Sequence, residues 1–165
     1  MPDRRGEFSP TCRRPNRALT CRPNSRLSAT PNATDLAFYL DTSALAKLVV
    51  AEPQTLALLT WLNVSDRRPV SSDLARTELI RAVRRVASDR VVQARAVLDA
   101  VTLLEVTTTM FEEAGRLDPT LLRSLDAVHL AAALALGDDL EGLVTYDERL
   151  VAAARLNGIT VVAPV

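Results

Sequence analysis

From residue 36 onward the chain alternates apolar runs of four or five residues with longer stretches of helical periodicity, and this alternation restricts the fold more than any other feature. Runs that short, set between amphipathic segments, read as strands buried on both faces, with the helices as crossovers. The pattern predicts an α/β domain with a mainly parallel central sheet. Strands are expected near 36–40 (LAFYL), 69–72 (PVSS), 103–106 (LLEV), 142–146 (GLVTY) and 159–163 (ITVVA). Helices are expected at 43–50, 53–63, 73–87, 89–101, 108–116, 121–136 and 148–156, the last one closed by Gly158. No internal repeat is evident, and 165 residues suffice for one domain with a core.

Residues 1–35 obey a different rule. Seven arginines stand against three acids, giving +4, so the neutral chain leaves −4 for the body. Five of the nine prolines fall here among Asn, Ser and Thr, with no apolar periodicity, and such a segment cannot bury enough surface to offset its ordering entropy. It reads as a disordered basic tail or a translated leader outside the native protein. An electrostatic RNA-binding arm and a targeting peptide are the alternatives, although no apolar run follows Arg4 and Arg5 as a secretory signal requires.

Both cysteines, Cys12 and Cys21, lie in that segment, and His129 is the sole histidine, so no zinc-ligand set exists. The body needs no oxidising compartment, and a cytoplasmic location is expected. The longest apolar stretches, such as HLAAALAL, fall short of the roughly 20 residues that cross a bilayer.

In an open α/β sheet, ligand chemistry collects beyond the carboxyl ends of the strands. Asp41 ends LAFYL and Asp147 ends GLVTY, with Thr42, Ser43 and Thr145 beside them. Glu78 lies on the margin of a helical apolar stripe, and Asp126 falls in the middle of a nearly all-apolar helix with His129 one turn on. Each acid alone has a bland use: Asp41 and Asp147 as helix caps, Glu78 paired with Arg81 or Arg85, Asp126 bonded to His129 or Arg123. Four acids around one cleft are harder to accommodate. Carboxylates about 4 Å apart repel by roughly 4 kcal/mol at an effective dielectric near 20. A hard divalent cation relieves that repulsion, and magnesium or manganese held by carboxylates suits hydrolysis of a phosphodiester.

The succession YLDTSALAKLVVAE, SSDLARTELIRAVRR, LRSLDAVHLAAAL and LVTYDERLVAAARLNGITVVAP resembles the PIN-domain ribonucleases, in particular the VapC toxins of bacterial toxin–antitoxin pairs, over residues 36–165. The resemblance implies a PIN-like three-layer α/β/α domain and a Mg²⁺- or Mn²⁺-dependent endoribonuclease acting on tRNA or rRNA. It also implies a homodimer and neutralisation by a VapB-type antitoxin seated in an apolar groove near residues 43–63. Asp41, Glu78, Asp126 and Asp147 match the family's four catalytic, metal-holding acids in order. Thr42, Ser43 and Thr145 would orient those carboxylates. Arg81 and Arg85, with Arg76 and Arg84, could hold phosphates or form a solvated helix face. His129 is expected as a packed or Asp126-bonded core residue. Competing readings are a catalytically inactive PIN-like module that binds RNA or protein, and phosphoryl transfer through an aspartyl-phosphate at Asp41; the phosphatases of that kind want an aspartate where this chain has Ser43.

Overall fold

The computed structural model describes residues 36–64 and 67–165, so the expectations for the N-terminal 35 residues lie outside the described part. Five strands form one wholly parallel sheet in the order β3-β2-β1-β4-β5, with β1 (Leu36–Leu40) at its centre. Its neighbours are β2 (Arg67–Ser72) and β4 (Leu140–Val144), and the edges are β3 (Thr102–Leu104) and β5 (Val161–Val162).

Alternation along β1 sends its side chains into two separate cores. Ala37 and Tyr39 face one layer, made by α6 (Ser124–Leu134) and α7 (Glu148–Leu156), where Leu130, Ala133, Leu150 and Ala153 are buried. Leu40 faces the other layer, of α1 (Thr42–Lys47), α2 (Thr55–Leu62), α3 (Leu74–Val86) and α4 (Val91–Ala100), packed through Leu45, Leu58, Leu79 and Leu98. The helix α5 (Thr108–Ala114) packs on α6 through Ala114, Ala127 and Ala131. This is the expected three-layer α/β/α arrangement, and among the described residues no helix is long and apolar enough to cross a membrane.

The differences from the sequence-based elements have local causes. The strand β4 ends at Val144, two residues early: Thr145 N–H still reaches Val162 O at 3.3 Å, but side chains capture the amides beyond it, Tyr146 N–H donating to Ser43 Oγ at 2.9 Å and Asp147 N–H to Thr145 Oγ1 at 3.1 Å. The helix expected from residue 89 opens as a 3₁₀ turn, Ser88–Arg90, before α4. The helix α6 starts at Ser124, which puts Asp126 in its first turn and not in its middle. Gly158, at φ +77°, closes α7 as a residue without a Cβ can.

The apolar stripe expected as a groove at 43–63 divides in two. Ala44 and Leu45 of α1 are core, whereas α2 leaves Leu56 and Leu59 exposed. With Pro53, Trp61, Val64 and Pro164, Leu56 lines an open groove of about 660 Å³. Trp61 packs edge-on against Phe38 with ring centroids 4.7 Å apart, and Arg67 covers its ring at 4.2 Å.

Candidate active site

The centre of the sheet delivers the first acid. Asp41 follows β1 directly, and its backbone N–H continues the sheet by donating to Val144 O at 3.2 Å. The carboxylate is 5% exposed. Its Oδ1 accepts from Ser43 Oγ at 2.7 Å and from Ala44 N–H at 3.0 Å, while Oδ2 accepts from Thr145 Oγ1 at 2.9 Å. Burial pushes the acid above its ordinary range, and the Ser43 and Ala44 bonds counter that only in part. The capping use and the cleft position are therefore one arrangement: the acid caps α1 and stays at the sheet's carboxyl edge. Ser43 and Thr145 hold it as expected.

Glu78 comes from the other direction. Ala75, Leu79 and Val83 of α3 are buried against the sheet, so Glu78 stands at the border of that face, 22% exposed. It does not pair with Arg81 or Arg85. Its Oε2 accepts from Thr42 Oγ1 at 2.6 Å and lies 2.6 Å from His129 Nε2. Burial raises this acid, but the bonds from His129 and Thr42 prevail and hold it below the usual carboxylate range. His129 is buried as expected, yet its partner is not Asp126: its other nitrogen, Nδ1, lies 2.8 Å from the Tyr39 hydroxyl. Arg81, Arg84 and Arg85 are exposed and line a shallow concavity of about 320 Å³ on the outside of α3.

Asp126 supplies the unresolved demand of the site. Its Oδ2 is buried and has no hydrogen-bond partner, and Arg123 reaches it only through its charge. Burial first, then repulsion from Asp147, with a smaller push from Glu78, raises this carboxyl. Asp147 caps α7, its Oδ1 accepting from Arg149 N–H at 2.8 Å. The sheet's carboxyl edge thus brings together all four acids singled out by sequence, close enough that Asp126 feels two of the others.

An orphaned carboxylate oxygen among mutually repelling acids fits a cation. Among the described residues both nitrogens of His129 are engaged and the remaining donors of the cleft are oxygens, a set that suits magnesium or manganese. Among the described residues no three His, Cys, Asp or Glu side chains converge tightly enough to ligate one ion as they stand. An ion that keeps several waters and takes one or two carboxylates needs no tighter cage.

Sequence reasoning missed two features. One is the chain of contacts Tyr39, His129, Glu78 and Thr42, which joins residues up to 90 positions apart and left no local signal. The other is Lys47, 8% exposed, paired with Glu52 at 2.5 Å and seated 4.6 Å from the centre of the Tyr146 ring. A lysine within the apolar segment ALAKLVV was the available sign of it.

Comparison with known proteins bears on the family and the fold. A family model described as the PIN domain matches residues 38–156. The chain is 40% identical over 130 residues to Ribonuclease VapC47 of Mycobacterium tuberculosis (strain CDC 1551 / Oshkosh), covering 76% of this chain and 96% of that protein. It is 44% identical over 128 residues to Ribonuclease VapC46 of Mycobacterium tuberculosis (strain ATCC 25618 / H37Rv), covering 78% and 98%. Among solved structures, Mycobacterium tuberculosis VapC20, described as a sarcin-ricin loop cleaving toxin, aligns with a TM-score of 0.61 at 20% identity, over 70% of this chain and 94% of that one. VapBC2 from Rickettsia felis, bound to a DNA fragment from its promoter, gives 0.60 at 15% identity, over 79% and 100%. At those identities the structural matches speak for the fold.

Proposed function

Because the chain belongs to the PIN-domain family, among its VapC ribonucleases, we propose that it is an endoribonuclease toxin that hydrolyses phosphodiester bonds of structured RNA, tRNA or rRNA, with magnesium or manganese. The observation that carries the metal dependence is the bare, buried Oδ2 of Asp126 beside the repelling Asp147 and Glu78. Asp41 and Asp126 would hold the cation first, with Glu78 and Asp147 completing the negative ring. When bound, such an ion offsets the carboxylate repulsion and supplies the Lewis acidity that phosphodiester hydrolysis requires.

The chain's own residues do the positioning. Ser43 and Thr145 fix both oxygens of Asp41, so its orientation does not depend on a flexible side chain. Thr42 holds one oxygen of Glu78, donating to Oε2. Outside the cleft, Arg81 and Arg85 on α3 offer guanidinium groups to substrate phosphates flanking the cut. The −4 body lends no broad electrostatic pull, so these local arginines and the cation are the natural contacts for RNA.

A VapB-type antitoxin is the proposed partner, supported by the kinship with VapC proteins and by likeness to a protein described as a toxin–antitoxin complex from Klebsiella pneumoniae. The exposed apolar groove along α2 suits its docking. A homodimer working in the cytoplasm completes the reading. The test is cleavage of mixed tRNA and rRNA by the full chain, with and without magnesium or manganese, beside Asp41→Asn prepared identically. Metal-dependent cutting that disappears in the variant is expected. No cutting by wild type, with no metal binding in calorimetry, would instead support a PIN-like binding module.

A further inference from the structure

The contact between Glu78 and His129 crosses the sheet: Glu78 rides on α3 in one helical layer, His129 on α6 in the other. Glu78 Oε2 accepts from Thr42 Oγ1, and a carboxylate oxygen so engaged takes a ring N–H as its second donor. The hydrogen in the 2.6 Å bond therefore sits on His129 Nε2. The other ring nitrogen, Nδ1, meets the Tyr39 hydroxyl at 2.8 Å. Tyr39 is fully buried in β1 and meets the imidazole edge-on, ring centroids 5.9 Å apart at 70°, so the ring has little freedom to turn. Thr42 Oγ1 donates to the same Oε2 of Glu78 and lies 3.3 Å from Nε2, closing the group from the α1 side.

A leucine at 129 would bury comparable volume without the cost of placing a polar ring in a core. The polar ring instead has each nitrogen committed, one to a buried hydroxyl and one to an acid of the cleft. We propose that His129 and Tyr39 are positioning residues of the ribonuclease site: the Tyr39 hydroxyl fixes the plane of His129, and His129 aims Glu78 into the cleft. This rests on the nuclease reading above. Histidine here acts through Glu78 and does not touch the substrate.

The experiment compares full-length wild type with Tyr39→Phe, His129→Gln and His129→Leu for kcat, KM on an RNA substrate, manganese affinity by calorimetry, and melting temperature. Tyr39→Phe keeps the ring and removes the hydroxyl, so kcat should fall about tenfold with KM within about twofold of wild type. His129→Gln can still donate from its amide to Glu78 and should keep several times more rate and manganese affinity than His129→Leu. Wild-type kcat and manganese affinity in Tyr39→Phe and His129→Leu would overturn the assignment. So would equal losses in Gln and Leu that merely follow melting temperature, since that is the signature of packing. If the histidine variants do not fold, Tyr39→Phe decides alone. If wild type binds manganese but cuts no RNA, the nuclease reading fails while the order of manganese affinities still judges the positioning; wild type that does neither overturns both.

Discussion

Replacing Thr145 by valine should be among the costliest single changes outside the apolar core. The side chain is fully buried, and its Oγ1 joins two acids: it donates to Asp41 Oδ2 at 2.9 Å and accepts from Asp147 N–H at 3.1 Å, with Ser43 Oγ at 3.4 Å. Valine keeps the shape and removes both bonds. A hydrogen bond to an ionised acceptor contributes about 1.5–3 kcal/mol, and the half-buried Asp147 amide, able to find water, adds under about 1 kcal/mol. The sum is about 2–4 kcal/mol, which for a domain of this size lowers the melting temperature by roughly 10 °C. The pH dependence follows from Asp41, whose folded carboxyl lies above its usual 3.8. The charge-assisted bond exists only while Asp41 is ionised, so the gap between wild type and variant should be full above that raised folded value and narrow as pH falls through it. Thermal denaturation of wild type, Thr145→Val and Thr145→Ser across pH 4–8, with RNA cleavage measured alongside, checks this. Serine should retain most of the stability. A valine variant that melts within about 1 °C of wild type at pH 7 would refute the reasoning.

Two further outcomes are expected. In metal-free protein at pH 7, Asp126→Asn should melt above wild type, because the ionised carboxylate is buried beside Asp147 and Glu78 without a donor. As its folded value is raised, that penalty appears as pH rises from about 3.8 through the folded value, so the two proteins should converge in acid. Manganese should raise the melting temperature of wild type and leave the variant unmoved; a variant less stable than wild type without metal at pH 7 counts against the site. Arg81→Glu with Arg85→Glu should raise KM for RNA about tenfold or more at low salt and leave kcat within about twofold, an effect that shrinks as salt rises. An unchanged KM would assign those arginines to a solvated face.

The layer order, every strand and helix of the body, and the gathering of four acids were legible because each depends on local pattern: burial period sets the strands, and acids at strand ends mark the carboxyl edge. Boundaries slipped where a side chain outcompeted the ladder, as Ser43 and Thr145 do at the end of β4. Partners were not legible where they cross the sheet. His129 and Asp126 sit one helical turn apart, which made them the natural pair, but α6 turns His129 toward Glu78, 51 positions away. The same limit applied to the stripe at 43–63: apolar spacing cannot tell that α1 spends its leucine on the core while α2 keeps Leu56 in the open.

The cleft lies where two independently packed interiors abut. Ala37 and Tyr39 belong to one, Leu40 to the other, and the acids that must cooperate are mounted on opposite sides of that division. Alignment of Glu78 with Asp126 is therefore an assembly tolerance, governed by how far α3 and α6 each stand off the sheet. A methyl group gained or lost under either helix, far from any carboxylate, shifts one half of the site relative to the other while leaving each half intact. Distant core substitutions should thus detune cleavage before they unfold the domain, and the bridge from Tyr39 through His129 to Glu78 is the element that keeps the two mountings in register.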